Sequence, residues 1–181
     1  NDLLRSLPIR LLIADYKDSS KAKALTMAMD AIDGIPYDVV VIMDADNLTS
    51  PHFLTAVNRA FDSGVRCIQA HRTGQNLNTD ISVLDGISEE INNGIFRSGH
   101  NALGLSAALS GSGMAFEADW FRKNVRLLET AGEDKELEVL LLQQRIDTTY
   151  LPEIAIYDEK TQKEEAISNQ RKRWIAAQFG I

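Results

Sequence analysis

Along this chain, short apolar runs alternate with stretches in which apolar residues recur every three or four positions. The runs predict buried strands and the periodic stretches predict helices packed on them. Residues 10–14 (RLLIA) read as a first short strand. Ser19 or Ser20 can cap a helix that runs through Lys21, Ala24, Leu25, Ala28 and Met29 to Gly34. Residues 39–43 (VVVIM) form the next strand. Ser50-Pro51 opens a helix through Phe53, Leu54, Val57 and Phe61, stopped by Gly64. Residues 65–70 make a third strand. This β-α-β-α-β order predicts an α/β sheet with right-handed crossovers, mixed but mostly parallel, flanked by helices.

The pattern changes after His71. Ile81, Leu84, Ile87, Ile91 and Ile95 have the spacing of one helix face, predicting a helix over 80–97. A glycine- and serine-rich passage follows, ending in Ser110-Gly111-Ser112-Gly113, and residues 114–116 resume an apolar run. A helix is expected over 119–127. Gly132-Glu133-Asp134 opens an amphipathic helix over 135–146, with acids at the end that the helix dipole favours. Residues 148–157 read as a strand broken by Pro152, and 164–179 as an amphipathic helix carrying Gln170, Arg173 and Trp174. With no repeats, low-complexity tracts or linker, residues 1–181 are expected to form one domain.

Composition narrows the classes. A chain of 181 residues with 44% hydrophobic and 25% charged residues can bury a core. Its net charge of −7 disfavours a nucleic-acid partner. The C-terminal end is nevertheless locally basic through Lys160, Lys163, Arg171, Lys172 and Arg173. Cys67, the single cysteine, cannot form an internal disulfide and fits a small buried hydrophobe. No apolar run approaches a membrane span. Because no full opening strand precedes residue 10, the chain is expected to be a piece of a longer protein, truncated at its N-terminus.

Candidate chemistry begins where residues 39–43 run into Asp44-Ala45-Asp46. Ligands in open α/β sheets bind beyond the carboxyl ends of strands, and residues two apart in extended chain face the same side. The two carboxylates would converge on that crevice, where they suit a hard divalent cation carrying phosphates. Aspartates in this position are also common turn and cap residues. Gln170, Arg173 and Trp174, at i, i+3 and i+4, share one helix face. Arg173 carries a planar fork and Trp174 a flat apolar surface, or the tryptophan simply anchors the helix with the arginine as a solvated flank. Lys21 or Lys23 reads either as a nucleotide contact or as a solvated helix lysine. His52, His71 and His100 lack metal-ligand spacing and read as structural or surface residues.

Asp44-x-Asp46, Glu133-Asp134 and Gln170-x-x-Arg173-Trp174, in this order, resemble the motifs of family 2 glycosyltransferases, above all the cellulose, hyaluronan and poly-N-acetylglucosamine synthases. Tyr37-Asp38-Val39-Val40-Val41, Lys21-Ala22-Lys23-Ala24-Leu25 and Ser110-Gly111-Ser112-Gly113 add to the resemblance, which spans nearly the whole chain. It implies a GT-A fold lacking its first strand and an inverting sugar transfer in polysaccharide synthesis. The donor would be a nucleotide-diphosphate sugar, a UDP-sugar first among them, and the acceptor a saccharide or a lipid-linked one. By the same resemblance Asp46 ligates Mg²⁺ or Mn²⁺. Asp44, Lys21, Gln170 and Arg173 hold the donor, and Asp134 is the general base. Ser110, Gly111, Ser112, Glu133 and Trp174 lie on the acceptor side.

The parent would sit at the cytoplasmic face of a membrane, embedded by segments outside this chain. Two departures stand out: nothing before Arg10 matches the family's nucleotide-contacting strand, and Gly132 replaces the usual threonine before the Glu-Asp pair. The isolated chain is accordingly expected to be inactive. The rival readings are a nucleotidyltransferase, for which the glycine-rich triphosphate loop is missing, and a degenerate module that binds nucleotide sugar without turnover.

Overall fold

The computed structural model describes residues 9–15, 20–130, 132–162 and 172. Helix α1 (Lys21–Ala31) starts at Ser20, whose hydroxyl accepts from the Lys23 amide at 3.2 Å. Strand β1 (Val39–Ile42) follows, then the two-residue strand β2 (Leu48–Thr49), helix α2 (Phe53–Asp62) and strand β3 (Cys67–Gly74). Helix α3 (Asp80–Asn92) is closed at its start by a reciprocal cap between Thr79 and Ser82. It continues through a π-helical segment, Asn93–Gly99, into the short α4 (His100–Ala102). Strand β4 (Met114–Glu117) leads directly into α5 (Ala118–Asn124) and a 3₁₀ turn, Val125–Leu127. Helix α6 (Glu133–Gln143) and strand β5 (Thr149–Asp158) complete the described elements.

The five strands form one sheet in the order β1-β4-β3-β5-β2. It is mixed and flanked by helices, as expected. The balance within it differs: β3 and β5 pair in parallel, whereas the other three pairings are antiparallel. The crossovers do set β1, β3 and β5 in one direction. However, β4 inserts between β1 and β3 running the other way, so these parallel-directed strands are not hydrogen-bonded neighbours. The expected strand at 10–14 does not form either. A strand needs a paired neighbour, and none of the described strands pairs with these residues. Ile9, Leu11 and Ile13 are exposed, and the Arg10 guanidinium donates to the Ala31 carbonyl.

Strand alternation divides the core between the two faces of the sheet. Cys67, Met114 and Phe116 face a cluster with Met29, Trp120, Phe121, Leu137 and Leu141 from α1, α5 and α6. Phe116 stacks on Phe121 at 5.1 Å and on Trp120 at 5.7 Å between ring centroids. Ile68, Ala70 and Ala115 face the other side, against Phe53 and Val57 of α2 and Ile154 and Ile156 of β5. Cys67 is the buried hydrophobe that the sequence suggested; burial pushes its thiol up to about 12 against a hydrogen bond from Thr148. In β5, Pro152 sits in a bulge: the register with β3 passes from Ala70↔Leu151 to His71↔Ala155. Proline has no N–H to give a ladder, so pairing lapses there and resumes beyond it.

One expectation about packing reverses. An apolar stripe at helical spacing ordinarily faces the core, yet in α3 Leu84, Ile87 and Ile91 are exposed, as is Ile95 in the π-helical segment. The buried positions are Ser82, Gly86, Glu89, Asn93 and Arg97. The cause is what lies beneath them. The second half of β3 is polar, and it meets the helix through hydrogen bonds. Asn93 Nδ2 donates to the Arg72 carbonyl at 2.8 Å, and His71 Nε2 pairs with Glu90 at 3.1 Å. Arg97 Nη1 reaches Glu89 at 2.7 Å and also bonds the Asn93 side chain. A β-carbon on Gly86 would come within 2.8 Å of Leu77 Cδ2, so glycine permits this close approach.

Candidate functional site

The C-terminal end of β1, the start of β4 and the N-terminus of α6 meet at one end of the sheet. Because β1 and β4 are antiparallel, with Ile42 opposite Met114, the aspartates after β1 and the loop before β4 emerge side by side. Lys21, the first residue of α1, reaches into this corner. Its Nζ lies 2.6 Å from Asp44 Oδ1, donates to the Gly111 carbonyl at 2.6 Å, and stands 3.6 Å from Glu133 Oε1. One ammonium thus ties together the strand-end aspartate, the glycine loop and the acidic start of α6. The solvated-helix reading of Lys21 is set aside by this geometry.

The loop is held from several sides. The Asp44 amide donates to Ser112 Oγ at 3.0 Å and to Asn47 Oδ1 at 3.1 Å, and Ser112 Oγ bonds Asn47 Oδ1 as well. From beneath, the fully buried Gln69 accepts from the Ser110 amide at 3.0 Å and donates to the Ser112 carbonyl at 3.0 Å. Arg72 donates to the Ser110 carbonyl at 3.1 Å while its other nitrogens grip Asp158 at 2.6 and 3.1 Å. Asn47, Gln69 and Arg72 were not singled out in the sequence. Gln69 did carry a signal: an amide in an otherwise apolar strand must find partners when buried.

Gly111 occupies the centre. Its φ of +77° lies in the left-handed region that favours glycine. A β-carbon there would point at Glu133 Oε1 (3.7 Å), Lys21 Nζ (3.8 Å) and Asp134 Oδ2 (3.9 Å). The absent side chain leaves a small space bordered by one cation and two carboxylates. Glu133 is nearly buried. Burial pushes its carboxyl above the ordinary range, Asp134 adds to this, and Lys21 opposes it. Asp134 is half-buried, with its Oδ1 accepting from the Lys135 amide at 2.9 Å.

Asp46 is exposed on the turn after β1, where its Oδ1 accepts from Asn47 Nδ2 at 3.2 Å. Among the described residues no group of three or more His, Cys, Asp or Glu side chains is arranged to hold a metal ion. Gln170, Arg173 and Trp174 lie outside the described residues. The histidines take structural places: His71 bonds the Tyr150 hydroxyl at 2.7 Å, and His100 Nδ1 meets the Ser106 carbonyl at 3.0 Å.

The sequence matches the family model described as "Glycosyltransferase like family 2" over residues 6–177. The chain belongs to the family 2 glycosyltransferases. The nucleotidyltransferase reading falls with this match. A search of curated proteins finds no match. Among solved structures, the fold resembles glucosyl-3-phosphoglycerate synthase from Mycobacterium tuberculosis in complex with Mn²⁺ and UDP-glucose, with a TM-score of 0.51 and 16% identity. That alignment covers 98% of this chain and 56% of the synthase. The same enzyme in complex with phosphoglyceric acid aligns with a TM-score of 0.51 and 16% identity, over 98% of this chain and 57% of the other. The chain therefore spans little more than half the length of these structures, and at this identity the likeness establishes the GT-A-type fold. No helix among the described residues is long and apolar enough to cross a membrane.

Proposed function

We propose that this chain carries the donor and base side of an inverting, metal-dependent hexosyltransferase that moves a sugar from a UDP-sugar to a saccharide or lipid-linked acceptor in polysaccharide synthesis. The observation that supports it best is the corner at Lys21, where Asp44, the Gly111 carbonyl and Glu133 gather around one ammonium and Asp134 borders the same small space. Inverting transfer asks for a base beside the acceptor hydroxyl and for groups that hold an anionic leaving diphosphate. Asp134 takes the base role: it removes the proton from the acceptor hydroxyl as that oxygen attacks the anomeric carbon. Lys21 can pass from Asp44 to a donor phosphate. Asp44 is then released towards the nucleotide or sugar, and Ser110, Gly111 and Ser112 present their backbone to the acceptor. Glu133, whose carboxyl burial raises above the ordinary range, lines that end beside Lys21 and Asp134.

Asp46 is the residue to hold Mg²⁺ or Mn²⁺, which would neutralise the departing diphosphate. The Mycobacterium synthase was solved with Mn²⁺ and UDP-glucose, which supports a divalent ion and a nucleotide sugar here. Gln170, Arg173 and Trp174 are assigned to the diphosphate and acceptor on their motif alone. The basic stretch from Lys163 to Arg173 supports a place at the cytoplasmic face of a membrane.

The test separates an enzyme from a module that only binds. In the full-length protein, Asp134→Asn should lower transfer by about 10²–10⁴-fold at saturating donor and leave UDP affinity nearly unchanged. Asp46→Asn should weaken UDP binding in Mn²⁺ and leave metal-free binding unaffected, as read by calorimetry. Near-normal turnover by Asp134→Asn would remove the base assignment. Equal UDP affinity with and without chelator would remove the metal.

A further inference from the structure

The exposed apolar stripe of α3 and its extension is unusual for a helix lying on a sheet. Leu84, Ile87, Ile91 and Ile95 follow one another at i, i+3, i+7 and i+11, with Val83 and Phe96 beside them, and all are exposed. A continuous apolar surface of this kind marks a place where something docks. Three observations indicate what.

The chain itself arrives there. After β5, Lys160 is buried against α3, its Nζ 3.9 Å from Asp85, 3.8 Å from Glu89 and 3.2 Å from Asp158. Its backbone is fastened on both sides by Asn76, which donates to the Lys160 carbonyl at 2.8 Å and accepts from the Lys160 amide at 2.6 Å. The residues that follow therefore depart from the N-terminal half of α3. Charge points the same way. Between Asp80 and Asn92 the helix carries Asp80, Asp85, Glu89 and Glu90 and no basic residue. Residues 163–181 carry Lys163, Arg171, Lys172 and Arg173 against Glu164 and Glu165. Glu89 is buried against Arg97 and Lys160, and Asp85 faces Lys160, so the exposed acids of the rim are Asp80 and Glu90; they oppose an anionic lipid surface and favour a basic segment. The segment also has the matching pattern. At helical spacing Ile175 and Phe179 form an i, i+4 pair, about half a turn round from Gln170, Arg173 and Trp174.

We infer that residues 163–181 dock along the exposed stripe of α3, with Ile175 and Phe179 against Ile91 and Ile95. The stripe from Leu84 to Ile95 is roughly 16 Å long at helical rise, and a helical segment of this length would reach about 28 Å, enough to run its full extent. The side bearing Gln170, Arg173 and Trp174 then faces away from α3. The docking itself does not depend on the roles assigned to those three residues.

Disulfide trapping tests this on the full chain. The native Cys67 is fully buried and its thiol is pushed up to about 12, so it stays silent at pH 8. The pairs Ile91→Cys with Ile175→Cys and Ile95→Cys with Phe179→Cys place new thiols at the inferred contact. Ile91→Cys with Arg173→Cys places one on the opposite side of the segment. On mild oxidation, at least one contact pair should form an intramolecular bridge some ten-fold faster than the control, read on non-reducing gels and by peptide mass. Ile91 and Ile95 are exposed, so these substitutions spare the fold, and unchanged melting curves check this. Equal rates in contact and control pairs would overturn the inference, because a freely moving segment meets both. Bridges between two chains would assign the stripe to a second copy. An environment-sensitive label on Ile91→Cys that responds only to added anionic vesicles would assign it to a membrane.

Discussion

Helices α2 and α3 look alike in sequence and pack in opposite senses. Both present an apolar stripe at helical spacing. In α2 the stripe turns inward, with Phe53 and Val57 buried among Ile68, Ala70 and Ile156. In α3 it turns outward, and Glu89, Asn93 and Arg97 are buried instead. The difference lies beneath each helix. α2 packs on the face of the sheet bearing Ile68, Ala70 and Ala115, whereas α3 meets the polar second half of β3 and the buried ends of Asp158 and Lys160. A hydrophobic pattern shows that a helix has two faces; the partner decides which one is covered.

The largest effect should come from the buried polar face. Arg97→Met leaves Glu89 buried without its 2.7 Å partner and should cost on the order of 3–5 kcal/mol in urea unfolding. The double change Glu89→Leu with Arg97→Met should recover most of that loss. If it does not, the pair is more than a replaceable filling. Next comes the contrast between the stripes. Val57→Ala should destabilise by roughly 2 kcal/mol, since it removes buried methyl groups. Leu84→Ala, at 63% exposure, should change stability by about 0.5 kcal/mol or less. Equal costs would mean that Leu84 is covered in solution.

The smallest effects are pH dependences of opposite sign. At Glu133, burial raises the carboxyl, so the folded state holds its proton more tightly and stability falls as pH rises from the ordinary glutamate range through the raised value. Glu133→Gln should flatten this part of the profile. At Glu90, burial pulls upward but is outweighed by hydrogen bonds from Thr73 and Asn93 and by the charge and hydrogen bond of His71. Its contribution is present above the ordinary value and is lost as pH falls through the lowered one. Glu90→Gln should remove that acid-side loss. Thermal melts between pH 3 and 7 would compare the two.

Much of the framework was legible from the chain. Three consecutive valines before Asp44, and Gly64 with its φ of +94° after α2, marked strand β1 and a helix end in terms that local chemistry settles. Lys21, Asp44, Gly111 and Glu133 were each singled out in the sequence, but their meeting around one ammonium was not, because it depends on how β1, β4 and α6 come together. The direction of β4 was not legible either. Met114, Ala115 and Phe116 are buried on both faces, so they show no alternation from which a side or a partner could be read. The orientation of α3 was hidden for a related reason: its fate depends on His71, Arg72 and Lys160, far away in sequence. Gln69 and Asn47 act through hydrogen bonds that only the closed sheet creates.

The left-handed turn at Gly111 offers one more use. Replacing it with alanine would put a single methyl group where Lys21, Glu133 and Asp134 converge, at ordinary contact distances from each. Every ionisable group of the corner would remain, but room would be lost and the loop would carry the strain of a side chain at a φ of +77°. Such a protein would change occupancy and loop geometry together while keeping the acid–base groups, and its melting curve would show how much of any loss is strain. Set beside Asp134→Asn, it would distinguish a reaction stopped for want of a proton acceptor from one stopped because the sugar has nowhere to stand.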